Sequence, residues 1–184
     1  DSHSFPLYLE SLPKMSYYGA YSSKQIYYPA DVRHIVEYGR VRGIRVMPEF
    51  DAPAHVGNGF QWGPQNGLGN LTVCVNREPW QSYCVEPPCG QLNLANPKMY
   101  DVLGQIYNEI VDLFGPIDLF HYGGDEVNLN CWNTTDEITD WMNGNGYGVD
   151  ADAYYKQWSI FQEKSRQLLV SANKQQKVPG ILWT

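Results

Sequence analysis

Two adjacent carboxylates, Asp125 and Glu126, close the stretch Leu119-Phe120-His121-Tyr122-Gly123-Gly124-Asp125-Glu126. The apolar run ahead of them reads as a short strand, and the glycine pair lets the backbone turn with no Cβ in the way. Parallel α/β folds place their chemistry at the carboxyl ends of strands, where this pair would stand. Side-by-side acids repel, so one of the two is expected to keep its proton above the ordinary carboxylate range. A pair with one acid protonated and one ionised suits general acid–base work on a bond whose leaving group needs a proton. Without the histidine and the glycines, a solvated acidic turn would be the ordinary reading.

A second group of polar residues lies in Pro48-Glu49-Phe50-Asp51-Ala52-Pro53-Ala54-His55. His121, His55, Asp51 and Asp125 together have the chemistry of a zinc or manganese site. They equally suit hydrogen-bonded groups that orient Glu126, and that reading is preferred. His3 and His34 read as structural histidines. Trp183, at the end of the last apolar run, suits core or site alike.

The motif His121-Tyr122-Gly123-Gly124-Asp125-Glu126, with Val127 next and Trp132 six residues past Glu126, resembles the active-site signature of family-20 glycoside hydrolases, the β-N-acetylhexosaminidases. It is most similar to that of the insect, chitin-processing members. Asp1-Ser2-His3-Ser4-Phe5-Pro6, the Pro48–His55 segment and Gly180-Ile181-Leu182-Trp183-Thr184 resemble the same family in the same order. The resemblance implies a secreted or lysosomal exo-enzyme that removes terminal N-acetylhexosamines from chitooligosaccharides or N-glycans. It implies Glu126 as the proton donor and then base, and Asp125 as the group that orients the substrate's own acetamido nucleophile. Asp51, His55 and His121 would support Glu126, Trp183 would line the acetamido pocket, and Asp1 is a weaker site candidate. No metal and no organic cofactor is implied. Two rivals remain. One is a two-carboxylate glycosidase using Glu49 or Asp51 as nucleophile; the other is a sugar-binding protein on a retired hydrolase scaffold.

The elements that would position these groups alternate helix and strand. A helix is expected over about 30–42, with Val32, Ile35, Val36 and Val41 near a helical period and Gly43 as its stop. A strand from Ile44 to Phe50 follows. Residues 1–28 read as irregular. The glycine- and proline-rich connection 51–95 is long enough to be functional, with Trp62, Trp80, Tyr83 and Glu86 as its ligand-facing candidates; Trp80, Val85 and Glu86 are assigned contacts beyond the cleaved bond. Asn96 caps the next helix, Pro97 opens it, and Val102, Leu103, Ile106, Tyr107, Ile110 and Val111 form its inner face. A strand over 117–122 leads to the acid pair. Helices at about 135–143 and 152–173 come next, the latter with Tyr155, Trp158, Phe161 and Leu168 inward, and a strand at 178–184 ends the chain. This order argues for an α/β fold of parallel strands with right-handed crossovers. The resemblance makes it a partial (β/α)₈ TIM barrel, about the second to fifth strands. Residues 1–184 would be the central part of one catalytic domain, incomplete at both ends. A clamping arginine would precede residue 1, and the segment alone is expected to be inactive and poorly folded.

Composition narrows the class further. The 184 residues suffice for one core, and 43% hydrophobic content excludes a disordered chain. Fourteen tyrosines and six tryptophans fit either sugar stacking or an aromatic core. A net charge of −7 without a basic patch argues against nucleic acid and anionic membranes as partners. No apolar run reaches the roughly 18 residues of a membrane span. The resemblance implies as partner an oligosaccharide carrying β-linked N-acetylglucosamine or N-acetylgalactosamine, and the reading admits a homodimer. Of the three pairings open to Cys74, Cys84, Cys89 and Cys131, Cys84–Cys89 with Cys74–Cys131 is preferred, because Pro87-Pro88 suggests a tight closed loop. The resemblance implies the same pairing. Sequons at Asn70 and Asn133 point with the cysteines to an oxidising compartment.

Overall fold

The computed structural model describes residues 2–115 and 117–183, and it is a mixed helix and sheet structure. Its organising feature is three extended segments running parallel. His121 pairs with Glu49 on one side, and β3 (Phe120–His121) pairs with β4 (Gly180–Ile181) on the other. Backbone bonds extend both seams: the amides of His121 and Phe50 bond to the carbonyls of Pro48 and His121, and that of Tyr122 to Ile181. The segment carrying the acid pair is therefore the middle one.

Helices pack against this centre. α2 (Pro29–Arg40) begins with proline in its first turn, where the missing N–H costs nothing. α3 (Pro97–Phe114) is capped by the Asn96 side chain, which accepts from the Lys98 amide, a contact typically worth about 1 kcal/mol. Val102, Leu103, Ile106, Tyr107 and Ile110 of α3 are buried as its period requires, while Val111 is half-buried. α6 (Ala151–Ala172) lies along α3. Tyr107 joins the layers. Its ring meets Phe50, Phe120 and Tyr122 edge-on at 6.0, 5.5 and 6.4 Å, and its hydroxyl bonds to Ser165 of α6 at 2.5 Å. Complete burial of such a ring contributes roughly 1.5–3 kcal/mol.

The connection 51–95 contains β1 (Thr72–Val73) and β2 (Gln91–Leu92), an antiparallel pair. Cys74–Cys131 closes a loop of 57 residues and ties this pair to α4 (Leu129–Asn133); a crosslink of that span typically stabilises by about 2–4 kcal/mol. Cys84–Cys89 closes a loop of 5. α5 (Asp136–Gly144) follows α4. Among the described residues no helix is long and apolar enough to cross a membrane.

Several expectations are corrected. Residues 1–28 hold a helix, α1 (Lys14–Gly19), and a parallel bridge between Leu7 and Tyr27. Ile44 to Phe50 is not a continuous strand: only Glu49 pairs, and Ile44 is exposed. Ile35 and Val41 of the α2 region are exposed. On α6 the buried stripe runs Tyr154, Gln157, Phe161, Ser165, Leu169, so Tyr155 faces solvent and Trp158 and Leu168 are only half-buried.

Candidate active site

The strand carrying Phe120 and His121 continues through Tyr122 into two residues with left-handed backbones, Gly123 at φ 60° and Gly124 at φ 90°. The Asp51 carboxylate fills the space a side chain would occupy at Gly123: an added Cβ would lie 1.8 Å from Asp51 Oδ1. The same oxygen accepts the Gly124 amide at 2.8 Å. Asp51 thus stitches its own segment to the glycine turn and fixes where the next two side chains emerge.

Glu126 and His55 both hold left-handed backbones, at φ 54° and 57°, and their side chains meet, His55 Nε2 lying 3.1 Å from Glu126 Oε2. Left-handed non-glycine residues cost of order 1–3 kcal/mol each and concentrate at working sites. His55 Nδ1 lies 3.0 Å from the Ser2 hydroxyl. Both ring nitrogens are therefore engaged, and Nε2 addresses Glu126. One ligand-type atom from each of Asp51, His55 and Asp125 lies within 4.8 Å of the others. Within it, Asp51 Oδ1 is taken by the Gly124 amide and His55 by Ser2 and Glu126.

Burial pushes the Asp51 pKa up, with the Asp125 and Glu49 charges adding to it, against the Gly124 amide and the His55 charge. A carboxyl raised in the folded state holds its proton to higher pH than in the unfolded chain. Its favourable share of stability is complete below the unfolded value and is lost as pH rises through the folded one. Asp51→Asn in the full-length protein removes that loss. Its melting temperature relative to wild type should therefore climb as pH is raised from the acid side through the carboxylate range, measured by calorimetry. A difference that stays constant with pH would contradict this account.

His121 is buried and lies behind the site. Its ring packs on Trp183 at 4.6 Å. Its Nδ1 accepts the Gly123 amide at 3.1 Å and also stands 3.3 Å from Glu49 Oε1. One nitrogen cannot accept from one and donate to the other. The tautomer with the proton on Nε2 satisfies the buried amide, while Glu49 keeps access to water. The Trp183 amide donates to the Gly123 carbonyl at 2.9 Å.

A cavity of about 730 Å³ opens over these groups, with Asp51, His55, Glu86, Asp125, Glu126 and Trp183 in its wall. Its remaining wall includes Ser2, His3, Tyr21, Gln25 and Tyr27. His3, read from sequence as structural, thus faces the cavity. Tyr21, Gln25 and Tyr27 were missed because their segment has no periodicity; a cluster of polar and aromatic residues shortly after a strand-end motif was the only signal. Trp80 does not line the cavity: it sits half-buried in a turn, its carbonyl taking the Tyr83 and Cys84 amides. Trp62 is buried, its indole N–H on the Gly59 carbonyl, and Tyr83 packs under Arg77. Asp1 lies outside the described residues.

The family model for the catalytic domain of glycosyl hydrolase family 20 matches residues 1–184. A chitooligosaccharidolytic β-N-acetylglucosaminidase of Bombyx mori is 47% identical over 184 residues, all of this chain and 30% of that protein. A protein of the same name from Ostrinia furnacalis is 45% identical over the same span, again 30% of its length. Among solved structures, a GH20 exo-β-N-acetylglucosaminidase of Vibrio harveyi, in complex with N-acetylglucosamine, superposes with a TM-score of 0.74 at 21% identity, over all of this chain and 29% of that one. The chain thus spans about a third of the length of the relatives it matches. The strand-end acid pair and the match over every residue lead to one conclusion: this chain belongs to glycosyl hydrolase family 20, within its catalytic domain.

Proposed function

We propose that the protein carrying this chain is a retaining exo-β-N-acetylhexosaminidase acting through its substrate's own acetamido group. The observation that carries the reading is the placement of Asp125 and Glu126 side by side at the tip of the middle strand, with Glu126 held by His55 on the wall of an open cavity. Glu126 gives its proton to the bridging oxygen as the acetamido carbonyl oxygen attacks C1. The C1–O bond to the leaving sugar breaks, and a cyclic oxazolinium forms with the charge shared into the acetamido nitrogen. Asp125 accepts the acetamido N–H, aims the carbonyl at C1 and offsets that positive charge. Water then attacks C1 while Glu126 takes its proton, which restores the acid and leaves the configuration retained. His55 orients Glu126, Asp51 holds the turn, and Trp183 offers an apolar wall to the acetamido methyl, with His121 packed behind it. No step assigns work to a metal.

Residues 1–184 are read as the central stretch of one (β/α)₈ barrel, about the second to fifth strands, which the parallel pairing of the 49, 121 and 181 segments supports. The names of the insect relatives favour chitooligosaccharides as substrate. Two disulfides suit the secretory lumen, the lysosome or the cell exterior. Asn70 and Asn133 are exposed, as glycan carriers must be.

The test compares a chromogenic N-acetyl-β-glucosaminide with the matching β-glucoside on the full-length protein and on its Asp125→Ala variant. Strong activity on the first substrate alone, cut by the substitution about 10²-fold or more, is the expected result. Comparable activity on both would transfer the nucleophile to a carboxylate such as Glu49 or Asp51. Activity on neither would leave a sugar-binding protein.

A further inference from the structure

Six of the 14 tyrosines fall between residues 8 and 28, and the proposed reaction uses none of them. Four, Tyr8, Tyr17, Tyr18 and Tyr28, line a groove of about 510 Å³ beside α1, together with Ile26 and Lys14. Tyr17 is 78% exposed and Tyr28 47%. The rings stand in two pairs: Tyr8 and Tyr28 lie 5.2 Å apart at 36°, and Tyr17 and Tyr18 5.1 Å apart at 86°. Rigid, solvent-facing tyrosines give a ligand broad apolar contact at small entropic cost and keep their hydroxyls available at the edge.

We propose that this groove is a second carbohydrate site, binding a neutral chain of β-linked N-acetylhexosamines outside the catalytic cavity. The proposal rests on the hexosaminidase reading for the identity of the sugar. A pyranose ring shows a face of C–H bonds that stacks on an aromatic ring, and a rim of hydroxyls. The groove offers the complement, tyrosine rings with their hydroxyls and the exposed Ser23 side chain. Among the described residues lining it there is no carboxylate, and its one ammonium, that of Lys14, is engaged by Asn66 Oδ1 at 2.6 Å. That lining suits an uncharged ligand over an ionic peptide or a polyanion. The groove also shares a wall with the catalytic cavity. Tyr27 bridges to Leu7 and faces the cavity, while its neighbours Ile26 and Tyr28 face the groove, as alternate residues of an extended segment do. The two sites stand on opposite sides of one short strand of chain, and an oligomer too long for the cavity has a second surface beside it.

The test uses the full-length protein with Glu126→Gln, to suppress turnover, and the β-1,4-linked N-acetylglucosamine hexamer as probe in calorimetry. Adding Tyr17→Ala and Tyr28→Ala should weaken hexamer binding about 10-fold, and Tyr17→Phe with Tyr28→Phe should hold it near the parent value. With Glu126 intact, the same alanine pair should leave hydrolysis of a small chromogenic N-acetyl-β-glucosaminide unchanged. Hexamer binding that ignores the alanine pair, or that falls equally with the phenylalanine pair, overturns the stacking site even if the small substrate is hydrolysed. Tyrosine-dependent binding without any hydrolysis would instead sink the enzymatic reading and keep the groove. A glycopeptide ending in N-acetylglucosamine, run in parallel, separates the two sources of this chemistry. Tyrosine-dependent binding of the hexamer supports the groove as a site for chitin-type chains; tyrosine dependence of the glycopeptide alone, or of neither, overturns it.

Discussion

Glu126→Gln in the full-length protein is expected to lower kcat/KM on an N-acetyl-β-glucosaminide by about 10²–10⁴-fold, the usual scale of general acid–base catalysis. Glutamine keeps the shape of the side chain and can still accept from His55, which stands 3.1 Å from the carboxylate. The fold and melting temperature should therefore hold, and the loss belongs to the proton. The leaving group gives a second handle. A substrate whose aglycone departs without protonation spares the first step and leaves the base-assisted water attack impaired, so the deficit should shift into kcat and a burst should appear. A loss below about tenfold on both kinds of substrate would place the proton donor elsewhere.

The second large effect is structural. Gly123→Ala adds a Cβ that would sit 1.8 Å from Asp51 Oδ1, 2.1 Å from its Cγ and 2.6 Å from its Cα, on a backbone at φ 60°. The last of these contacts is backbone, so no rotamer relieves it. The 48–52 segment must move away from the middle strand, taking with it the Ala52 amide bonded to the Tyr122 carbonyl. The left-handed backbone costs about 1–2 kcal/mol and the overpacking about 1–3. A total destabilisation of about 2–5 kcal/mol should be read in denaturant unfolding, with activity lost alongside. Gly124→Ala is the control. Its Cβ would meet the ends of the Gln162 and Leu182 side chains at 2.7 Å, and these can turn aside. Its cost should be smaller and confined to the strained backbone. Equal stability of the two variants would contradict the role given to Asp51.

How much of this was legible in the sequence differs from one part to the next. The Asn96-Pro97 start and the periodic face of α3 were plain, because cap, proline and apolar spacing all agree there. The acid pair and its glycine turn were equally plain. What could not be read was who stands opposite. Asp51 fills the gap at Gly123 from 72 positions earlier, and no local pattern announces such a contact. On α6 Phe161 is buried as expected, but Tyr155, Trp158 and Leu168 each fall one position off the buried stripe, because two of its buried positions are polar: Ser165, which meets the Tyr107 hydroxyl, and Gln157. The short helix α4 was missed because its start is an Asn128 side chain accepting from the Cys131 amide, with only five residues behind it. The cavity wall from Ser2 to Tyr27 was missed because side chains on irregular backbone show no period.

The claim that matters most is that the nucleophile belongs to the substrate and is aimed by Asp125. A series of chromogenic glycosides whose 2-acetamido group carries zero, one, two or three fluorines reads this directly, since each fluorine withdraws electrons from the carbonyl oxygen and little else changes. If that oxygen attacks C1, kcat/KM on the full-length protein should fall steeply and progressively along the series. A flat series would contradict the account and hand the nucleophile to a protein carboxylate.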